Sequence, residues 1–282
     1  MSSIRRNILR RDEVGVWSEL KLEILKKYAT AYSQILTSNR LHHWYIDAFA
    51  GAGTHIAKRT KDLIPGSPLN ALGIEPPFEK YYLIDLNRAR TAELRSLTAD
   101  RPNVEVRSGD CNAILLNDVF PHIRYEDYRR ALCILDPYGL HLNWNVVAEA
   151  AKLGTVEIFL NFPVLDMNRN VLWRKEGASP RNIKRMNTFW GDDSWNQAAY
   201  ATTENLFGDL EREKQPNEVI AEAYQERLRR VAGFKYVPEP APMRNSNNAI
   251  MYYLFFAAQQ PAADKIVRSI LDAYRKRGLL HG

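Results

Sequence analysis

The residues best suited to chemistry are acids placed where short apolar runs end. Tyr45-Ile46-Asp47-Ala48-Phe49 leads into Gly51 and Gly53, Tyr81-Tyr82-Leu83-Ile84 ends on Asp85, Val104-Glu105-Val106 leads to Gly109-Asp110, and Leu132-Cys133-Ile134-Leu135 ends on Asp136-Pro137-Tyr138-Gly139. The last of these is the sharpest motif. An Asp followed by Pro at a buried strand end offers a carboxylate and a carbonyl, both acceptors suited to holding an amine, and Tyr138 adds a face for a flat ring. The plainer reading is a turn with a packed tyrosine, against which stands the rarity of Pro in such a place. Glycines at 51 and 53 allow a tight turn and close backbone approach to a ligand, although a strand-exit turn needs them too. Phe49 belongs to the same segment. Asp85 can accept from both hydroxyls of a ribose, or simply form a turn before Asn87. Asp110 can accept from an adenine amino group, cap the helix expected at Cys111 to Leu116, or do both. After Gly53 the chain inserts Thr54 to Pro65 before a helix starts at Gly66-Ser67-Pro68, with Ser67 as the expected N-cap and Pro68 at the first helical position.

These acids are useful only if parallel strands bring them to one edge. Five short, mostly apolar runs, the fifth being Val156-Glu157-Ile158-Phe159-Leu160, are mostly separated by helical patterns, as in strands buried on both faces. Near the C-terminus, Gly233 to Val237 and Ile250 to Ala257 read as strands joined by a Pro- and Asn-rich link too poor in helix formers for a crossover. They are therefore expected to pair antiparallel. The expected fold is a doubly wound α/β, seven-stranded class I methyltransferase-type sheet, five parallel strands plus a C-terminal antiparallel hairpin. Its ligands lie at the carboxyl ends of the strands. Trp17 to Leu36 reads as an amphipathic helix preceding the sheet. The expected organisation is a basic arm and helix over 1–40, the α/β core over 41–164, a basic and aromatic helical insertion over 165–230, with helical periodicity in Glu204 to Val231, and a hairpin and helix over 231–282.

The insertion carries Arg169, Arg174, Lys175, Arg181, Lys184 and Arg185 against one acid, Glu176, with Trp173, Phe189, Trp190 and Trp195 interleaved or adjacent. Cations for phosphates and flat side chains for bases make up a single-strand nucleic-acid groove; a solvated basic face over a small aromatic core is the alternative. Arg5, Arg6, Arg10 and Arg11 could extend the patch. The 282-residue chain has a net charge of +6, which alone says little about a partner. Two cysteines, Cys111 and Cys133, are too few for a disulfide framework. With no secretory h-region and no apolar run near the roughly 20 residues needed to cross a bilayer, a cytoplasmic protein without membrane contact is expected. The six histidines lack metal spacing, and the absence of a G-x-x-x-x-G-K-[ST] loop argues against phosphoryl transfer.

Together, Trp17-Ser18-Glu19-Leu20-Lys21, Tyr45-Ile46-Asp47-Ala48-Phe49-Ala50-Gly51, Gly66-Ser67-Pro68 and Asp136-Pro137-Tyr138-Gly139 resemble the three-Cys-motif partner protein family, a bacterial and phage group with a methyltransferase-like core. The resemblance runs from about residue 17 through the C-terminal helix. It implies association with a separate protein carrying a three-cysteine motif. More broadly, the Asp136 motif is similar to that of amino-methyltransferases. The adenine-N6 pattern is Asp-Pro-Pro-Tyr; here the aromatic stands third and Gly fourth, closer to guanine-N2 enzymes of tRNA. The implied cofactor is S-adenosylmethionine (SAM), bound by Asp47, Phe49, Gly51, Gly53, Ser67, Asp85 and Asp110. The expected acceptor is an exocyclic amine of a nucleic-acid base, adenine N6 or guanine N2, positioned by Asp136, Pro137 and Tyr138. A non-catalytic subunit of the same fold, binding nucleic acid and the partner protein, is the competing reading, and a protein or small-molecule amine is a third acceptor.

Overall fold

The computed structural model describes residues 13–14, 16–57, 63–173, 177–204, 210–245 and 247–280. The apolar runs become strands His42–Asp47 (β1), Lys80–Asp85 (β2), Val104–Ser108 (β3), Arg129–Leu135 (β4) and Val156–Phe162 (β5). They are rich in aromatic and branched side chains that suit a pleated, two-sided surface. Ala241–Arg244 (β6) and Ile250–Ala257 (β7) complete one seven-stranded sheet in the order β6-β7-β5-β4-β1-β2-β3. The first five pair in parallel, whereas β7 runs antiparallel to both β5 and β6. This is the class I methyltransferase strand order.

Period-two alternation sends neighbouring residues to opposite layers. Ile46, Cys133, Ile158 and Phe255 face one core, and Tyr45, Leu132, Phe159 and Phe256 face the other. Helices Val16–Ser38 (α1), Ser67–Leu72 (α2) and, at the end of the chain, Pro261–Lys276 cover the second layer with Ile24, Tyr28, Ala71, Val267 and Leu271. Helix Arg88–Leu97 (α3) follows β2, and Trp144–Leu153 (α4) covers the first layer.

Two expectations need correction. The hairpin partner of β7 is Ala241–Arg244, not Gly233 to Val237, which makes only a two-bond bridge between Tyr236 and Ala258. The apolar side chains that suggested a strand, Phe234 and Val237, are buried as core fillers instead. Proline at 242 is tolerated because an edge strand needs only one of its two rows of backbone groups paired. Second, Tyr200–Glu204 and Leu210–Lys214 form an antiparallel hairpin, so helix in the later insertion begins only at Asn217–Arg227 (α6), after Pro180–Trp190 (α5). Within the insertion after Gly53, Thr54–Ala57 pairs with Leu63–Pro65 and, in parallel, with Glu13–Val14.

The insertion shares the main core. Phe189, Trp190 and Trp195 are buried, and the first two pack with Tyr224 of α6 around Phe162 of β5. They are therefore unavailable as base-stacking platforms, which corrects that part of the groove reading. Truncating one such ring to Ala costs about 3–5 kcal/mol. Among the described residues, no helix is long and apolar enough to cross a membrane.

Candidate functional site

The end of β1 is fixed by a buried carboxylate. Asp47 Oδ2 accepts from Ser67 Oγ at 2.5 Å and Oδ1 from the Phe49 amide at 3.2 Å. Burial pushes Asp47 up to about 6, while the Ser67 and Phe49 bonds pull the other way. Ser67 is thus not the N-cap of α2, which is Gly66; its hydroxyl, one residue further in, ties the helix start to β1. Asp47 reaches no open space, so any influence on a ligand passes through this turn.

Gly51 takes φ +65°, and a Cβ there would meet nothing within 4 Å, so its backbone lines open space. At Gly53 (φ +82°) a Cβ would lie 2.8 Å from Leu94, which makes glycine a packing requirement. Asp85, at the end of β2, accepts from Gly51 N at 2.9 Å and Asn87 N at 2.7 Å. One carboxylate therefore holds the glycine turn of β1 against the start of α3. Asp110 is exposed beyond β3 and caps the following helical turn through the Asn112 amide at 3.0 Å. Asn112, buried and not anticipated from sequence, also donates to His141 O and accepts from Asn143 N, joining the β3 end to the chain after β4.

Asp136 follows β4 in a cleft of about 210 Å³ lined by Ser18, Lys21, Phe49, Ser67, Pro137, Tyr138, Asn161 and Tyr252, among others. Lys21 of α1 donates to Asp136 Oδ2, and Asn161 of β5 donates Nδ2 to Oδ1 at 2.7 Å. Burial alone would push the Lys21 ammonium down, but the Asp136 charge overrides it and holds lysine above its ordinary value. Lys21 is therefore a fixed cation and no proton acceptor. Because the Asn161 amide nitrogen must face the carboxylate, its Oδ1 is oriented; it is buried without a partner among the described residues. Tyr138 is 55% exposed and accepts from Arg90 Nη1 of α3 at 2.9 Å.

The loop after Asp136 is held from the insertion side. Asp166 accepts from Leu140 N at 3.1 Å, Asn170 Nδ2 at 2.7 Å and Arg185 Nη2 at 3.3 Å. Gly139 (φ +73°) is required here, since a Cβ would lie 2.5 Å from Asp166 Oδ2. Arg185 is thus engaged in a structural ion pair, whereas Arg169, Arg181 and Lys184 are exposed. Trp173 is 59% exposed with the Lys214 ammonium 6.0 Å from its ring centre. Arg174 and Lys175, like the four N-terminal arginines, lie outside the described residues. The fold brings Phe49, Ser67, Asp136, Pro137 and Tyr138 into one cleft; Gly51 and Asp85 join at the adjacent strand ends, with Asp110 one strand further out. Lys21, Asn161 and Arg90 complete the site.

No protein-family model matches this chain, and no curated protein matches it. Among solved structures, it is similar to LPL1258 from Legionella pneumophila str. Philadelphia 1 at 14% identity, covering 90% of this chain and 92% of that one with a TM-score of 0.50. It is also similar to N-methyltransferase NodS from Bradyrhizobium japonicum WM9 in complex with S-adenosyl-L-homocysteine (10% identity, 67% and 78% covered, TM-score 0.35). An rRNA methylase from Streptococcus thermophilus is a third (9% identity, 86% and 95% covered, TM-score 0.36). At 14% identity the likeness to LPL1258 is one of fold alone.

Proposed function

We infer that the chain is a SAM-dependent methyltransferase acting on an exocyclic amine of a nucleic-acid base. The observation that carries this is the Asp136 cleft, at the carboxyl end of the central strand β4 of a methyltransferase-ordered sheet and beside an open glycine turn. The residues present fit the cofactor. Gly51 supplies a cradle that a side chain would fill, Asp85 stands at the β2 end for ribose hydroxyls, and Asp110 at the β3 end for an adenine amine. When bound, SAM supplies an electrophilic methyl group.

The chain's own work is then to hold and orient the nucleophile. A carboxylate has about four acceptor positions. Lys21 and Asn161 take one on each oxygen of Asp136, leaving two for an amine. Asn161, through its amide, fixes the plane of that carboxylate. An amine N–H held by these oxygens has its lone pair directed away from them, and positioning of this kind supplies much of a transfer rate. Tyr138 provides a ring face for the base. Exposed Arg169, Arg181, Lys184 and Trp173, with Arg174 and Lys175 from the sequence, are assigned to the polyanion; Arg185 supports the loop through Asp166. Association with a three-Cys-motif protein rests on the motif residues alone.

One observation favours the second reading, a non-catalytic subunit that binds nucleic acid and a partner protein: the Lys21 ammonium sits on the acid that should grip the amine. Radiolabelled methyl transfer to total nucleic acid from a strain lacking the gene separates the two. Wild-type protein should transfer label, and Asp136→Ala should lower turnover about a hundredfold or more, roughly 3 kcal/mol, with SAM affinity little changed. Full transfer by Asp136→Ala refutes the amine-holding role. SAM binding without transfer to any nucleic acid by the wild type supports the non-catalytic reading.

A further inference from the structure

At the opposite end of the sheet, where β4 and β5 begin, lies a second cavity of about 260 Å³. Its walls come from α1 (Tyr28, Tyr32, Ile35, Leu36), the starts of β4 and β5, and the first turns of the C-terminal helix (Ala262, Ala263, Ile266). Strand register explains its polar floor: Leu132 lies opposite Glu157, so Arg130 and Glu157 project from the same sheet face. Glu157 is enclosed by protein except towards the cavity, which leaves it only partly covered by area. Tyr28 donates to its Oε2 at 2.6 Å. Among the described residues nothing donates to Oε1, and no cation pairs with the carboxylate. Arg130 is held elsewhere, donating to Arg129 O and lying 4.4 Å from the Tyr125 ring centre. Tyr32, 5% exposed, also lines the cavity, and its hydroxyl is buried without a hydrogen-bond partner.

An enclosed carboxylate without a cation and a buried hydroxyl without a partner are both costly, by about 1–3 kcal/mol for the hydroxyl. Both residues line one cavity whose other walls are largely apolar. Ligand pockets usually run to roughly 300–1,000 Å³, so the occupant is small. We propose that this cavity is a binding site for a small organic amine, its protonated nitrogen on Glu157 and the Tyr32 hydroxyl and its apolar body against Leu36, Ala263 and Ile266. The site is separate from the methyl-transfer cleft and does not depend on the function assigned to it. Burial pushes Glu157 up to about 7, with the Tyr28 bond pulling down, so the carboxylate is also the group that a cation would most readily stabilise.

The test uses the full chain without SAM and titrates benzylamine, phenethylamine and isopentylamine by calorimetry, with benzyl alcohol as the uncharged counterpart. At least one amine should bind saturably, and benzyl alcohol at least tenfold more weakly than benzylamine. Glu157→Gln should weaken amine binding at least tenfold while keeping the wild-type melting temperature or raising it. Tyr32→Phe, which removes only the unpartnered hydroxyl, should weaken it threefold or more, and Ala262→Trp at the exposed rim should block it. Absence of saturable binding by all three amines overturns the proposal. So does an affinity unchanged in both Glu157→Gln and Tyr32→Phe, because the ligand would then be held elsewhere.

Discussion

Lys21 and Asp136 lie 115 positions apart in the chain and meet in the cleft, and the strength of that meeting can be measured. The Lys21 side chain is 11% exposed and that of Asp136 33%, so the pair falls between two regimes. Exposed ion pairs contribute about 0.2–1 kcal/mol, whereas removing one partner of a buried pair costs about 3–5 kcal/mol. A coupling of about 1–3 kcal/mol is expected. The two single variants should be unequal. Lys21→Met leaves Asp136 partly solvated and still bonded to Asn161, at a cost of about 1 kcal/mol. Asp136→Ala strands a nearly buried ammonium, which should cost about 2–3 kcal/mol after allowance for water reaching the cleft. Urea unfolding of the wild type, both single variants and the double variant closes the cycle. Because the folded state raises the Lys21 pKa, the contribution is fully present below the ordinary lysine value of 10.5 and is lost as pH rises through the higher folded value. The coupling should therefore be constant between pH 7 and 9. Additivity within about 0.5 kcal/mol would refute the reasoning, since it would mean that the two groups act independently.

Glu157 gives a pH signature of the same sense in a lower window. Its folded pKa of about 7 exceeds the ordinary 4.5, so the folded state holds the proton more tightly and stability falls as pH rises from 4.5 to 7, then levels. Melts at pH 5 and 8 should show Glu157→Gln gaining on the wild type at the higher pH, on the order of 1–2 kcal/mol once partial exposure is discounted; a constant gap rejects the shift. Asp85→Ala should weaken SAM binding by about 1–3 kcal/mol, through lost ribose bonds and a loosened Gly51 turn, and unchanged calorimetric affinity would reject the assignment. Reversing Arg169, Arg181 and Lys184 to Glu should abolish nucleic-acid binding and leave SAM binding intact, and wild-type binding should fall steeply with salt. Salt-independent binding would favour a merely solvated basic face.

The sheet was legible because each parallel strand is a short apolar run closed by a polar residue, a pattern that burial on both faces imposes locally. Asp136 and Pro137 could be placed in the cleft for the same reason. The pieces that escaped depend on contacts between distant segments. Phe189, Trp190 and Trp195 have the composition of a stacking platform, but all three are buried, the first two against Phe162 and Tyr224. The edge strand around Pro242 lacks the usual propensity, and its pairing is dictated by the hydrogen-bonding groups that β7 leaves free.

Helix α1 shows how a functional residue hides inside a structural pattern. Its sequence suggests an apolar stripe through Leu20, Ile24, Tyr28, Ala31 and Ile35, but the buried face is rotated, with Leu25, Tyr28 and Tyr32 inside and Ile35 partly exposed. On that rotated face Lys21 stands one turn before Leu25 and two before Tyr28, so its burial follows from helical spacing. A lysine is almost never buried without an acid partner. Had the stripe been drawn through the tyrosines, the sequence would have demanded a carboxylate opposite Lys21. The same face carries Tyr28 and Tyr32 to Glu157 about two to three turns further along. One helix thus presents polar groups to the carboxyl end of the sheet and to its amino end, within a stripe whose composition reads only as core.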